Sequence, residues 1–331
     1  MSDNIYRQLV ARHAYPPERM ANEYVDEAML LQSGKGFRFP TESLDTMMGI
    51  VLPKSILTIL ARPSHGKSTL LTKFALHESK KFVGQEEQYV GIITLEESVG
   101  QASSRIIKSL GGYSFYDIVS KRMGDIDVIK RGLMGIVDLP IMMFGHGQPS
   151  ADFKAEPLTI ERTVDVIEAV YRTTEKKPSA LFVDYLGVIQ TSKGQSQQER
   201  IRMSNIMVQL GILAKELECP VILAAQASRQ ADDNADKLPL IGQAFGSSGI
   251  EHTSASVMSV MRPRRYWTEE EKQFVKIGKY LYPMSQNLLV AKRLKNRFGD
   301  GDSNVVAVNF DMGSMDLRDW RLDELSVGEE W

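Results

Sequence analysis

Apolar and polar positions alternate in blocks along most of the chain. Short apolar runs are separated by stretches with helical periodicity, and several runs are apolar at consecutive positions, as strands buried on both faces must be. The apolar runs are ILTILA (56–61), YVGIITL (89–95), PIMMF (140–144), ALFVDYL (180–186), PVILAAQ (220–226), SVMSVM (256–261), NLLVAK (287–292) and VVAVNF (305–310). Helical patterns lie at 68–81, 98–110, 160–174 and 200–218. This alternation predicts an α/β fold with a doubly wound, mainly parallel sheet flanked by helices.

The two ends of the chain have other patterns. Residues 16–32 form one helix with an apolar stripe, and SGKG at 33–36 ends it. The stripe packs either on its own domain or on a neighbouring subunit. We therefore predict an N-terminal arm with a linker helix (1–40), the α/β domain (41–315) and an acidic C-terminal tail (316–331), which is solvated or docks a partner.

Composition and charge exclude several classes of protein. A net charge of −2 argues against a protein that coats duplex DNA by bulk charge. The single cysteine, Cys219, excludes an internal disulfide and a zinc cluster. Because no apolar run is long enough for a membrane span and the N-terminus is unlike a signal peptide, we expect a cytoplasmic protein with no membrane partner.

A phosphate-binding loop follows the first apolar run. Residues 61–68, ARPSHGKS, match the P-loop pattern except that Ala61 replaces its first glycine, and a predicted strand and helix flank them. In such a loop the lysine, Lys67, reaches the β- and γ-phosphates and the hydroxyl of Ser68 binds Mg²⁺. The pattern therefore predicts ATP and Mg²⁺ as ligands, with the nucleotide held by Arg62, Pro63, Ser64, His65, Gly66, Lys67, Ser68 and Thr69.

Three further polar residues end apolar runs, where ligands of open α/β sheets bind. Asp184 follows four apolar strand residues, so it is expected to hold the metal because an unpaired buried carboxylate is costly. The next position, Tyr185, cannot act as a base, so we assign water activation to Glu96 rather than Glu97, at the end of another strand. Gln226 ends a fourth strand and can sense the γ-phosphate.

Two basic residues alternate before a glycine-rich turn, in LKNRFGDG. They either form a solvated hairpin tip or act as fingers that enter the neighbouring subunit's site. We favour the second interpretation, with Arg297 and Lys295 as catalytic residues supplied in trans, which would make hydrolysis depend on assembly.

These motifs together resemble DnaB-type hexameric replicative helicases. ARPSHGKS, ITLEES followed by QASSRIIKSL, LFVDYL, ILAKELECPVILAAQASR and KNRFGDG follow one another in that family's order over roughly residues 41–312. The long stretch before KNRFGD is most similar to helicases of large tailed phages. The resemblance implies a RecA-like motor domain, a six-subunit ring, ATP hydrolysis between subunits, and single-stranded DNA threaded through the centre. It also implies docking of the linker helix on the adjacent subunit, a primase or loader as partner, and a bacterial or phage-infected host cell.

The chain departs from this family at three places. Only about 40 residues precede the motor domain, the loop at 243–248 lacks the expected arginine and glutamate, and 262–286 reads as an insertion. In the insertion, Thr268 and Glu271 form a capping-box pattern that predicts the start of a helix. Interleaved basic and aromatic residues at 262–267 either bind a single strand or have another role.

Nucleic-acid contacts are expected on polar loops. The loop at 190–198 follows the Asp184 strand and the loop at 228–237 follows Gln226. For each residue the alternative is a solvated loop side chain. The expected contacts with single-stranded DNA are Lys193, Arg200, Arg202, Arg229, Ser247 and Ser248.

Three functions fit this set of motifs. The first is an ATP-dependent helicase motor that translocates on single-stranded DNA during replication. The second is an ATPase switch that assembles on DNA or a protein partner without processive unwinding. The third is a RecA-type strand-exchange filament, which the fold allows but whose family the motif sequences resemble less than they resemble the helicases.

Overall fold

The computed structural model describes residues 14–113, 126–147, 158–184, 199–299 and 304–327, with the single residues 7, 117 and 120. Two compact units divide the chain, one at 1–35 and the other at 36–331. In the first, helix α1 (Pro17–Gln32) begins after Pro16 and ends at Ser33, as its pattern predicted. Its side chains Tyr24 and Met29 are exposed.

The second unit contains a nine-stranded sheet flanked by helices. Its helices are α2 (Glu42–Met48), α3 (Lys67–Ser79), α4 (Val99–Ser109), α5 (Ile126–Val137), α6 (Ile160–Thr174), α7 (Glu199–Glu216) and α8 (Ser247–Thr253). Its strands are β1 (Ile56–Ala61), β2 (Gln88–Thr94), β3 (Ile141–Phe144), β4 (Lys177–Asp184), β5 (Val221–Gln226), β6 (Ser256–Met261), β7 (Phe274–Ile277), β8 (Tyr280–Pro283), β9 (Leu288–Asn296), β10 (Val305–Asp311), β11 (Asp316–Asp319) and β12 (Ser326–Val327). All eight predicted apolar runs lie on strands of the large sheet.

The order of the large sheet is β11-β10-β9-β6-β1-β5-β4-β2-β3. The six strands from β6 to β3 are parallel, and β9, β10 and β11 add in antiparallel orientation. The α/β fold with a mainly parallel sheet is therefore confirmed. Because the strands β1, β2, β4 and β5 end at one edge, the residues that follow them meet there.

The core lies on both faces of this sheet. Alternate residues of β1 point to opposite faces, so that Leu57 packs with Phe74 of α3 and Leu60 packs with Leu210 of α7, in separate buried clusters. Continuous burial along β1 explains its unbroken apolar sequence. No helix within the described ranges is both long and apolar enough to cross a membrane.

The segment 262–286 does not contain the predicted helix. The capping-box bonds do form, from the Thr268 amide to Glu271 Oε2 (2.8 Å) and from the Glu271 amide to Thr268 Oγ1 (3.2 Å). They close only one turn, after which β7 and β8 form an antiparallel hairpin around Gly278 (φ 57°). A local cap stabilises one turn, but it cannot extend a helix when the next residues pack as strands.

The described part of the C-terminal segment contains two short strands. β11 extends the large sheet beside β10, and β12 joins β8 and β7 in a small three-stranded sheet. Within this C-terminal segment, Arg318 and Glu324 form a bidentate ion pair with both distances at 2.7 Å. The acidic composition gave no sign of either strand, and the partner of β12 is more than 40 residues away along the chain.

Candidate nucleotide site

The P-loop joins the end of β1 to the start of α3. Ala61 is the last residue of β1 and is extended, which explains why the glycine of the usual pattern is dispensable here. The left-handed positions are Ser64 (φ 66°) and Gly66 (φ 84°), the residue that precedes α3. A Cβ on Gly66 would also lie 1.9 Å from the Met312 methyl carbon, so the end of that flexible side chain would have to move, while the left-handed backbone itself favours glycine at this position.

Two carboxylates lie near the lysine of this loop. Burial is the largest influence on the pKa of Lys67 and lowers it from its ordinary value, while the charges of Asp184 and Glu96 act in the opposite sense. Asp184 is the last residue of β4 and is buried, whereas Glu96 follows β2 and is exposed to solvent. The loop lysine, a buried acid and a solvent-facing acid thus come together at the carboxyl edge of the sheet.

One carboxylate oxygen of Asp184, Oδ1, is buried without a hydrogen-bond partner. The other oxygen, Oδ2, lies 4.0 Å from Arg105 Nη2. A buried carboxylate oxygen without a partner costs free energy unless a ligand compensates it. The residues present therefore fit a divalent cation held at Asp184 beside the loop.

The neighbouring acid, Glu97, is engaged elsewhere. Arg105 Nη1 donates to both carboxylate oxygens of Glu97, at 2.7 and 2.8 Å. Arg105 also lies 3.4 Å from the hydroxyl of Thr72 on α3. This pairing engages Glu97, while Glu96 is exposed. The choice of Glu96 as the base stays a prediction.

The β5 strand brings Gln226 next to the P-loop. Ala61 and Gln226 are register partners in β1 and β5, and the Ala227 amide donates to the Ala61 carbonyl at 3.0 Å. Any displacement of the β5 end therefore acts on the first residue of the P-loop. This position suits a residue that senses the γ-phosphate.

Comparison with known proteins identifies the family. The model of the DnaB-like helicase C-terminal domain matches residues 36–316. This chain belongs to that family.

Relatives of this DnaB-like domain include a probable plasmid replicative DNA helicase of Chlamydia trachomatis, 28% identical over 227 residues, which are 68% of this chain and 47% of the relative. The replicative DNA helicase DnaB of Geobacillus stearothermophilus is 26% identical over 70% of this chain and 48% of its own length. The chain thus spans about half the length of these relatives.

Solved structures show the same fold. The ATPase domain of G40P has a TM-score of 0.68 at 20% identity and covers 91% of this chain and 99% of its own. A DnaB-like replicative helicase studied with its primase has a TM-score of 0.63 at 20% identity and covers 93% of this chain and 72% of its own. The RecA-like fold expected from the motifs is therefore confirmed.

Lys295 and Arg297 of the DnaB-like domain lie at the opposite edge of the sheet. The Arg297 amide donates to Ala255 O at 3.0 Å, and the Ala255 amide donates to Ile56 O at 2.9 Å, so Arg297 is level with the first residue of β1. Five further residues at about 3.3 Å each separate this level from Ala61, roughly 16 Å. Arg297 Nη2 donates to the His252 carbonyl at 2.7 Å, and Lys295 Nζ donates to the Glu251 carbonyl, both at the end of α8.

The residues expected to contact DNA are only partly described. Lys193 and its loop lie outside the described residues, as does the side chain of Arg200 on α7. Arg202 is half-buried on α7, and Arg229 is exposed in a short 3-10 helix that follows β5. Ser247 begins α8, and the Ser248 hydroxyl lies 3.4 Å from that of Ser204 on α7.

The basic and aromatic residues at 262–267 contact the P-loop. The Arg262 amide donates to His65 Nδ1 at 2.9 Å, Arg265 Nε donates to Ser64 O at 3.1 Å, and the rings of His65 and Tyr266 lie 5.3 Å apart. The sequence left open whether these residues bind a single strand. Three of them, Arg262, Arg265 and Tyr266, contact the nucleotide loop.

Sequence reasoning missed three residues of this region: Arg105, Asp232 and Tyr266. Arg105 could have been suspected, because an arginine three residues after buried Ala102 lies on the inner face of a helix. The other two carry no signal in one sequence, because their contact depends on a loop and an insertion that fold together.

Proposed function

We propose that this chain is the ATP-dependent motor of a DnaB-like replicative helicase, which hydrolyses ATP and translocates on single-stranded DNA. The observation that carries the proposal is the unpartnered, buried Oδ1 atom of Asp184 beside Lys67, at the edge where the P-loop and Glu96 meet. A phosphate cradle, a metal ligand and a base are the parts that phosphoryl transfer requires.

The protein's own groups bind the nucleotide and orient the attacking water. Backbone N–H groups of residues 64–69, which include the start of α3, bind the phosphates, and Lys67 neutralises the γ-phosphate. The Ser68 hydroxyl and Asp184 would hold Mg²⁺, which, when bound, withdraws charge from the β- and γ-phosphates. Glu96 accepts a proton from the water, and Gln226 contacts the γ-phosphate and responds to its loss.

Cations from a neighbouring subunit complete the neutralisation of charge on the transferred phosphoryl group. Along the strands, Arg297 lies roughly 16 Å and Lys295 about 10 Å from the level of Ala61, and both side chains donate to carbonyls at the end of α8. These cations are therefore proposed to act on the nucleotide of another protomer. A head-to-tail contact of this kind generates a ring when the rotation closes. The proposed assembly is a homo-hexameric ring with one site at each subunit interface.

Single-stranded DNA is the nucleic acid along which the motor is proposed to translocate. The loops that follow β4 and β5 leave the same edge as the nucleotide site, so hydrolysis can move them. Arg202, Arg229, Ser247 and Ser248, with Lys193 and Arg200, are the proposed contacts. Binding through phosphates predicts an affinity that falls as salt rises. A primase or a loader is the proposed protein partner, in the cytoplasm of a bacterial or phage-infected cell.

The test is turnover and strand displacement by the assembled protein. We expect ATPase activity that oligo-dT raises severalfold, and displacement of a strand from a forked duplex with ATP and Mg²⁺. Lys67→Ala should abolish both, because the γ-phosphate loses its cation.

Three results would separate the alternatives. Absence of both ATPase activity and displacement in an assembled wild-type sample contradicts the motor. Slow turnover with nucleotide-dependent assembly and no displacement favours the switch, and open filaments in electron micrographs favour strand exchange.

A further inference from the structure

The arginine of the P-loop is tied to the segment that follows β5. Arg62 Nε and Nη2 donate to the Asp232 carboxylate at 3.0 to 3.2 Å, and Arg62 Nη1 donates to the Ala227 carbonyl at 3.0 Å. Ala227 directly follows Gln226, and Asp232 lies in the 3-10 helix Arg229–Asp233 that comes next. One guanidinium thus contacts both the end of β5 and this helix.

The loop that begins at Ser228 is closed on itself. Ala227 and Ala244 form an isolated antiparallel bridge, and the Ser228 amide donates to the Gln243 carbonyl at 2.8 Å. Inside the loop, the Asn234 and Gln243 side chains exchange two hydrogen bonds of 2.8 Å. These bonds connect residues near both ends of the loop, so the loop has a bonded route by which a shift in residues 228–244 can reach Asp232.

The segment after β6 completes the contact. The Tyr266 hydroxyl donates to Asp232 Oδ1 at 2.7 Å, so that one carboxylate accepts from both Arg62 and Tyr266. Arg62 has 16% of its side chain exposed and Asp232 has 39%. An ion pair this exposed would contribute little as a single bond, but a bidentate, charge-assisted pair with a third donor is stronger.

The P-loop needs support of this kind. Ser64 is held at φ 66°, which costs a residue with a side chain on the order of 1 kcal/mol, and such conformations persist only where surrounding contacts impose them. Arg265 holds the Ser64 carbonyl, and the Tyr266 ring lies against His65. The surroundings, rather than the loop sequence alone, set the backbone that cradles phosphate.

We propose that Asp232 and Tyr266 are positioning residues, which hold the P-loop in its phosphate-binding conformation through Arg62 and couple it to the loop 228–244. The proposal depends on the proposed function only in that the P-loop binds a nucleotide. Coupling between two sites is reciprocal, so nucleotide must change the stability of the loop as much as the loop changes nucleotide affinity.

The test compares three variants that remove one polar group each. Asp232→Asn removes the charge that Arg62 contacts, and Tyr266→Phe removes only the hydroxyl while leaving the ring on His65. Asp233→Asn is the matched control, since it removes the same charge from the exposed neighbouring residue. Affinity is measured with a fluorescent ATP analogue in Mg²⁺, KM and kcat are measured for ATP, and amide hydrogen exchange of residues 228–244 is measured with and without the analogue.

We expect Asp232→Asn and Tyr266→Phe to raise the Kd of the analogue and the KM for ATP about three- to tenfold, with kcat changed by less than about twofold. Nucleotide should slow exchange in the loop 228–244 of the wild type and of Asp233→Asn. The slowing should be lost in the other two variants. A merely structural role would lower the melting temperature without raising Kd and KM at nearly constant kcat.

The outcomes separate this proposal from the function on which it depends. If the wild type binds no nucleotide analogue, the proposed function fails. If the wild type binds it and all three variants bind with equal affinity, the positioning role is wrong while the ATP site stands. If nucleotide leaves exchange in the loop of the wild type unchanged, the coupling is wrong. Should Asp232→Asn fail to fold, Tyr266→Phe still decides between these results.

Discussion

His65 should make the folded state sensitive to mild acid. The ring is buried within the P-loop, and its Nδ1 atom accepts from the Arg262 amide, so the imidazole must be neutral there. Burial is the main cause that lowers the pKa of His65 from 6.5 to about 4, and the charges of Arg265, Arg262 and Arg62 lower it further, against Asp232, which raises it. Protonation would break the bond and place a cation among three others.

The size of the effect follows from that pKa shift. Between pH 6.5 and 4 the unfolded chain binds a proton at His65 that the folded chain does not, so stability falls as pH falls. At one pKa unit for each 1.36 kcal/mol, the loss is about 2 kcal/mol at pH 5 and about 3 kcal/mol at most. Above pH 6.5 the contribution is fully present and His65 adds no further pH dependence.

The assay is urea unfolding of the wild type and of His65→Asn at pH 7.5 and 5.0. The amide oxygen of asparagine can accept the Arg262 bond but does not titrate, and every other group is common to both proteins. The wild type should lose about 2 kcal/mol more than the variant between the two pH values, at unchanged slope with urea. Equal losses in the two proteins would refute a neutral, buried His65.

Two substitutions test other parts of the site. Glu96→Gln should leave the Kd for ATP nearly unchanged and lower kcat by about 10²- to 10⁴-fold, because it removes the proton acceptor. Glu97→Gln is the control and should lower kcat less and the free energy of unfolding more. Equal effects of the two substitutions on kcat would contradict the assignment of the base. Gly66→Ala should raise the Kd for ATP about five- to thirtyfold, since a left-handed alanine costs about 1–2 kcal/mol before any clash. Adding Met312→Ala should remove the clash but not the backbone cost, so full recovery would show that φ at this position does not matter.

Much of the fold could be predicted because its signals are local. A strand buried on both faces must be apolar throughout, so the pattern at 56–61 and 221–226 identified β1 and β5 directly. The P-loop pattern and the strand-end position of Asp184 likewise depend on a few neighbouring residues.

The remaining elements depend on pairing and contacts that the local pattern of the sequence does not reveal. The short strands β7, β8 and β12 alternate poorly and exist because they pair with one another, and the capping box at Thr268 indicated a helix that this pairing overrides. Asp232 and Tyr266 meet only in the folded protein, 34 residues apart. Without that contact, the basic and aromatic residues around Tyr266 resemble a nucleic-acid surface.

The most direct test of catalysis across a subunit interface is to mix two inactive variants. Lys67→Ala lacks the lysine that binds its own nucleotide but keeps Arg297 for the neighbouring site. Arg297→Ala keeps Lys67 but lacks the arginine that it would supply to its neighbour. Each should retain less than about one part in 10³ of wild-type turnover. After dissociation and joint reassembly, about a quarter of the interfaces would combine an intact Lys67 with an intact Arg297 from the next subunit, if the subunits mix at random.

ATPase activity of the reassembled mixture should therefore rise far above that of either variant alone. A mixture that exchanges subunits but stays as inactive as its components would contradict a site shared between protomers, and so would full turnover by Arg297→Ala alone.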